Sequence, residues 1–230
     1  MANKEARSQN CGINSSMLKT GFYFLIGAMQ FVGAFAIAEI PVKKIEKTPY
    51  CSHIERIDQA KVIDPSEAKF VDYLVVSKSR RKLYALNRGR LVKAYDVAFG
   101  SGFNEGPKAS SGDGRTPEGL YNIDLKNPDS KYHLSLHVSY PSEKDKAFAK
   151  ANNISNPGGN IMVHGFPNDP SKNGGKLVDD LDPAVIRTIH PEQDWTQGCI
   201  AVTNDEIEEI FSLVKITKDV KVPIEICPLK

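Results

Sequence analysis

Tyr132 to Tyr140 (YHLSLHVSY) alternates without a break. Tyr132, Leu134, Leu136, Val138 and Tyr140 fall on one face; His133, Ser135, His137 and Ser139 fall on the other. A period of two marks a strand that lays one face on a core and turns a polar face away from it. The pattern repeats in weaker form on both sides. Val71 to Val76 (VDYLVV), Lys82 to Leu86 (KLYAL) and Leu91 to Phe99 (LVKAYDVAF) are rich in β-branched and aromatic residues, and Asn87-Arg88-Gly89 separates the last two as a hairpin turn. Leu120 to Leu125 resumes strand character, and Ile161-Met162-Val163 and Ile200-Ala201-Val202 are short strands of buried type. Val220 to Ile226 closes the series, and Pro223 places it at a sheet edge. Helical signals are fewer. Ser142 to Ala151 and Asp182 to Ile189 suit short helices, and Thr203-Asn204-Asp205-Glu206 is a capping box followed by Ile207, Ile210, Phe211 and Val214 at helical spacing. The expected fold is mainly β with a few short helices.

Gly100 to Gly119 (GSGFNEGPKASSGDGRTPEG) interrupts this pattern with six Gly and two Pro, a density that suits neither a helix nor a central strand. It lies between strands, lacks a G-K-[ST] ending and opens no helix, so it is not a phosphate loop or a dinucleotide fingerprint. A loop that contacts substrate is one reading, with Gly112, Asp113 and Arg115 as contacts. A long hairpin connection is the other.

At 230 residues the chain is long enough for one sizeable domain with extensions, and 25% charged with 40% hydrophobic residues is ordinary globular usage. Beyond residue 38 the basic and acidic side chains balance at 27 each, which leaves no electrostatic footprint for nucleic acid. The first 38 residues stand apart. Lys4, Arg7 and Lys19 precede an uncharged run, Phe22 to Ala38, that ends in Ala36-Ile37-Ala38. A basic region, an apolar region and an A-x-A site describe a secretory signal peptide, or an uncleaved anchor that would be the chain's membrane contact. The expected organisation is a signal or anchor over 1–38, an extension over 39–69 and a folded domain over 70–230.

Cys199 follows Thr196-Gln197-Gly198 and precedes an apolar strand. A nucleophile needs such a place, on a rigid element at a turn where backbone N–H groups can meet an oxyanion. A buried packing cysteine would read the same way. A thiol also needs a base, and His164, at the end of Ile161-Met162-Val163 and before Gly165, emerges at a strand end. His137 projects from a polar strand face as a substrate-contact candidate, whereas His53 and His190 suit the surface. No C-x-x-C, H-E-x-x-H or paired histidine at ligand spacing occurs, so no metal or other cofactor is expected.

Four stretches, in this order and spacing, resemble the YkuD-like L,D-transpeptidase family of exported cysteine enzymes that remodel bacterial peptidoglycan. They are Val75-Val76-Ser77-Lys78, Gly112-Asp113-Gly114-Arg115-Thr116-Pro117-Glu118-Gly119, Ile161 to Gly165, and Gly198-Cys199-Ile200. The resemblance runs from about Asp72 to Ile226. It implies a β-sandwich or barrel-like catalytic fold, Cys199 as nucleophile, His164 as its base, the Gly165 carbonyl orienting that ring, and the Gly198 and Cys199 N–H groups as oxyanion hole. Around the nucleophile the family commonly carries S-H-G-C-[IV]-R, where this chain has Thr196, Gln197, Gly198, Cys199, Ile200 and Ala201. That variant looks like the murein L,D-transpeptidase branch of Gram-negative bacteria, in which a hydrolase that frees a lipoprotein is also found. Thr196 and Gln197 are therefore offered as substrate contacts.

The implied reaction is acyl transfer from a tetrapeptide stem at diaminopimelate to an amine, in the periplasm, with no cofactor. Hydrolysis of the same thioester, releasing lipoprotein or D-alanine, is the first alternative. A cell-wall binding module without catalysis, with Cys199 as packing or in a disulfide, is the second. Cys51 and Cys227 flank the domain at both ends and pair naturally, which leaves Cys199 as the thiol.

Overall fold

A computed structural model describes residues 51–57, 59–64, 67–168 and 183–229; the signal or anchor expected over 1–38 lies outside them. Three antiparallel strands open the fold: β1 (Tyr73–Ser77), β2 (Lys82–Asn87) and β3 (Arg90–Asp96). Asn87 pairs with Arg90 across a two-residue turn in which Arg88 and Gly89 both have positive φ, the geometry whose twist suits a hairpin. The remaining strands are β4 (Gly119–Ser130), β5 (His133–Val138), β6 (Met162–His164), β7 (Ile200–Ala201) and β8 (Val222–Cys227). They form an eight-stranded sheet in the order β3-β2-β1-β8-β4-β5-β6-β7. Past β3 the chain bends back to the far edge, where Ala98 bridges Ala201 and Gly100 bridges Thr196. These bridges curl the sheet toward a barrel.

β8 is a correction to the edge position expected from Pro223. It lies between β1, to which it is parallel, and β4, to which it is antiparallel. The β1 ladder begins at Leu74 opposite Ile224, one residue past Pro223. The proline therefore precedes the ladder that its missing N–H would have interrupted.

The pleat sorts side chains into a main core and two outer clusters. Leu74, Val76, Leu83, Ile123, Leu136, Val138, Val163 and Ile200 enter the main core. The core is closed by α4 (Asn204–Leu213) through Ile207, Ile210 and Leu213. The capping box at the start of α4 forms in both directions between Thr203 and Glu206. The same motif caps α2 (Glu143–Ala151) through Ser142 and Asp145. On the reverse face, Val75, Tyr84 and Leu86 pack with Ile57 of α1 (Ser52–Ile57), and Ala98, Ala201, Trp195 and Phe166 pack with Ile186 of α3 (Pro183–Ile189). Among the described residues no helix is long and apolar enough to cross a membrane.

A Cys51–Cys227 disulfide, spanning 176 residues of chain, ties α1 to the central strand β8. Closing a loop of that length is nominally worth about 5 kcal/mol in the chain-entropy model, and measured losses run at roughly 2–5 kcal/mol. Cys51→Ser with Cys227→Ser is expected to lower the urea midpoint and to steepen the transition, because the unfolded chain loses its cross-link and exposes more surface. Parallel denaturation curves of the two proteins check this. An unchanged midpoint contradicts it.

Candidate active site

β6 and β7 run parallel with Val163 opposite Ile200 and His164 opposite Ala201. Val163 and Ile200 enter the main core. His164 and Ala201 therefore face the reverse side, where Ala201 joins the Trp195–Phe166–Ile186 cluster. Continuing the register back one residue sets Cys199 beside Met162, with its side chain on the same face as His164 and one diagonal step away. A diagonal pair of this kind lies within reach of a long or aromatic side chain. The parallel ladder thus brings the thiol and the imidazole to one patch of sheet, although 35 positions separate them in sequence.

His164 is buried, with its ring centroid 4.3 Å from that of Tyr132 and 5.7 Å from that of Trp195. Its Nδ1 lies 2.7 Å from the carbonyl oxygen of Gly165. A carbonyl can only accept, so Nδ1 carries the proton and Nε2 keeps its lone pair. Burial drives the ring's pKa down to about 4; the Gly165 carbonyl acts the other way and nearby His190 reinforces the fall. His164 is therefore a neutral imidazole at pH 7. Gly165 has no room for a side chain, because a Cβ would sit 2.7 Å from Asn204 Oδ1, the atom that accepts from Phe166 N.

Cys199 is half-buried, outside the disulfide, and its Sγ lies 3.6 Å from the carbonyl of Asn160, a residue at φ +53°. The turn before it is held by Thr196, whose hydroxyl donates to the Cys199 carbonyl at 2.8 Å and accepts from the Gly198 N–H at 3.1 Å. Two expectations change here. Thr196 is buried with its hydroxyl engaged inside the turn, so it is a clamp and not a substrate contact. The Gly198 N–H expected in the oxyanion hole points at that hydroxyl. Gln197 is exposed at the turn. Below it, the Asp194 carboxylate accepts from both terminal nitrogens of Arg81, at 3.1 and 2.8 Å, and from Phe99 N at 2.7 Å.

The Gly-rich loop packs on this turn. Gly198 has φ +118°, and a Cβ there would lie 2.4 Å from the Arg115 carbonyl oxygen. Asp113 accepts from Lys108 Nζ and from the N–H groups of Ala109, Ser110 and Arg115. Burial of the carboxyl works to raise its pKa, but these four donors outweigh it and bring the value to about 2. Asp113 therefore organises the loop, a correction to its reading as a substrate contact. Gly112 is an exposed tip at φ +78°. Arg115 is partly exposed and reaches Glu105 at 3.2 Å. Beneath the loop the fully buried Lys78 donates to the Thr116 carbonyl and to Glu118, both at 2.7 Å. Burial lowers its pKa and Glu118 opposes that.

His137 lies on the same face as His164, since Ser135 opposes His164 and His137 opposes Met162. Its Nδ1 is 2.6 Å from Asp124. Tyr132, Asn160 and Met162 are neighbours that sequence reasoning missed. The alternation of YHLSLHVSY assigns Tyr132 to the core face, but His133 takes φ +64° beside an irregularity in the β4–β5 register, and Tyr132 turns onto His164. Among the described residues the grouping of possible metal ligands is Cys51, Glu225 and Cys227, and its two sulfurs are bonded to each other.

The L,D-transpeptidase catalytic domain pattern (YkuD) matches residues 71–226. "Putative L,D-transpeptidase YafK" of Escherichia coli (strain K12) is 28% identical over 127 residues, 54% of this chain and 38% of that protein, so the chain spans well under half of that relative's length. Among solved structures, the helical cell shape determining protein Pgp2 (K307A mutant) of Campylobacter jejuni is 24% identical over 68% of this chain and 46% of its own, with a TM-score of 0.44. Bd1075 of Bdellovibrio bacteriovorus is 21% identical over 71% and 52%, with a TM-score of 0.40. The family pattern begins just before β1 and ends within β8, so it takes in every strand of the sheet together with the elements that carry His164 and Cys199, and by that match the chain belongs to the YkuD family of L,D-transpeptidase catalytic domains.

Proposed function

We propose that this chain is an L,D-transpeptidase that transfers an acyl group from a peptidoglycan stem peptide through a thioester on Cys199. What supports it best is the β6–β7 register, which carried one residue back from Ile200 puts Cys199 on the face of His164, with the imidazole held by Gly165 in the tautomer that leaves Nε2 as acceptor. Cys199 Sγ attacks the diaminopimelate carbonyl of a tetrapeptide, and His164 Nε2 takes the thiol proton. The carbon–sulfur bond forms, the carbon–nitrogen bond to D-alanine breaks, and His164 returns the proton to the leaving amine. An amine of a second stem, or of a lipoprotein lysine, then attacks the thioester. Water in its place makes the reaction a hydrolysis.

Burial holds the His164 imidazole neutral at pH 7, with Nε2 as its proton acceptor. His164 therefore acts as a general base during attack. In this reading the backbone N–H of Cys199 serves as an oxyanion donor, a contact of a kind worth on the order of 100–1000-fold in rate. His137, Arg115 and Gln197 serve as substrate contacts in this reading. The enzyme works in the periplasm of a Gram-negative cell, delivered there by the N-terminal segment.

The test is D-alanine release from a stem tetrapeptide, followed by mass spectrometry with and without a free diaminopimelate-bearing acceptor. Release with a cross-linked product is the expected result, and release with tripeptide alone identifies the hydrolase. A folded, reduced protein that releases no D-alanine overturns the acyl-transfer reading.

A further inference from the structure

The register that sets Met162 beside Cys199 extends further. His137 opposes Met162 on β5, and Leu125 opposes His137 on β4. Leu125, His137 and Met162 thus form one row across three strands on the face turned away from the main core, and the extended register adds Cys199, one residue before β7. Their buried chain neighbours Leu136, Val163 and Ile200 fill that core on the other side. The row is open to solvent. Leu125 is 56% exposed, and His137, Met162 and Cys199 are partly exposed. The adjacent row, Ser135–His164–Ala201, is buried. The row's far end is polar and includes a cation. His137 Nδ1 holds Asp124, and Lys221 Nζ donates to the Asp124 carbonyl at 3.2 Å.

We propose that this row is the track for the acyl chain, with its alkyl part over Met162 and a carboxylate of the substrate held at His137 and Lys221. The inference rests on the acyl-transfer reading above and adds the chemistry of the donor. Two strand spacings separate Cys199 from His137, about 10 Å. A γ-linked glutamate that precedes the reacting residue carries its free carboxylate seven bonds from the reacting carbonyl, about 8 Å in extended form. Chain and track therefore match in length. The ionised Asp124 carboxylate can only accept, so the ring donates to it through Nδ1; a proton on Nε2 makes the ring a second donor, the form a substrate carboxylate selects.

The experiment uses the Cys199→Ala protein, which can bind but not react. The probes are the tetrapeptide L-Ala-γ-D-Glu-diaminopimelate-D-Ala and the same peptide amidated at the glutamate carboxylate. Kd is read by calorimetry, and the Met162 methyl and His137 ring signals by NMR. Amidation is expected to weaken binding about 10-fold. His137→Gln is expected to weaken the parent peptide by a similar factor and the amidated peptide hardly at all, since both changes remove one interaction. Both NMR signals are expected to move on binding. An unchanged Kd in His137→Gln overturns the track, as does binding that leaves the Met162 methyl unmoved or the absence of binding at millimolar peptide. Turnover by the protein that retains Cys199 is scored separately. Binding that depends on His137 without D-alanine release refutes acyl transfer and leaves the track, and turnover indifferent to His137 refutes the track alone.

Discussion

His164→Gln is expected to lower kcat/KM on a stem tetrapeptide by roughly 100- to 10,000-fold, the range that a positioned general base contributes. Glutamine can fill much of the space between Tyr132 and Trp195 but cannot take and return a proton. The same substitution carries a pH signature. Burial holds His164 near a pKa of 4 in the folded chain, against about 6.5 for an ordinary histidine. Between those values the unfolded chain binds the extra proton, so the stability due to the neutral ring is complete above about pH 6.5. It is lost as pH falls toward 4, by about 3 kcal/mol in all. Urea unfolding of the wild type is expected to show this decline between pH 7 and 4, and His164→Gln to show a flatter profile. The acid limb of wild-type kcat/KM should fall near pH 4. An acid limb at an ordinary histidine's pKa would contradict the account of a buried base.

Gly198→Ala is expected to reduce turnover by roughly 100- to 1000-fold and stability by about 2–5 kcal/mol. Two physical effects coincide at this position. The φ of +118° suits glycine and strains any residue with a side chain, and the new methyl would meet the Arg115 carbonyl oxygen at 2.4 Å. That obstacle is backbone, flanked by the Thr116 carbonyl that Lys78 holds and by the Arg115 N–H that Asp113 holds, so its room to swing away is small. The turn itself must move, and with it the Thr196 clamp and the Cys199 N–H. Gly89→Ala is the control. Its φ is +72° but nothing lies within 4 Å of the added methyl, so it should lose about 1 kcal/mol and no activity. Activity and urea midpoints of the three proteins decide the matter, and an active Gly198→Ala enzyme would show that the turn is not rigid.

What could be read in the sequence follows from what local patterns encode. The alternation of Leu136, His137 and Val138 reports which side chains share a face, and the structure keeps that assignment. The Thr203–Glu206 capping box is complete within four residues and forms as written. Partners are another matter. Nothing local to Pro223 says that its strand lies between β1 and β4, because the pairing residues are about 100 to 150 positions away. The roles of Thr196 and Asp113 were hidden for a related reason. A polar side chain in a Gly-rich segment looks alike whether it meets a ligand or its own backbone, and only the folded turn shows their hydrogen bonds closing inward. The approach of Cys199 to His164 depends on a parallel ladder of two residues that no periodicity announces.

The most direct measurement is intact-protein mass spectrometry of the 39–230 fragment with a carbapenem, wild type beside Cys199→Ala, with Cys199 confirmed as reduced. A cysteine acyltransferase opens the β-lactam and keeps it as a thioester, so the account predicts one adduct on the wild type and none on Cys199→Ala. Equal labelling of both proteins, or a folded wild type that stays unmodified, would contradict Cys199 as the nucleophile.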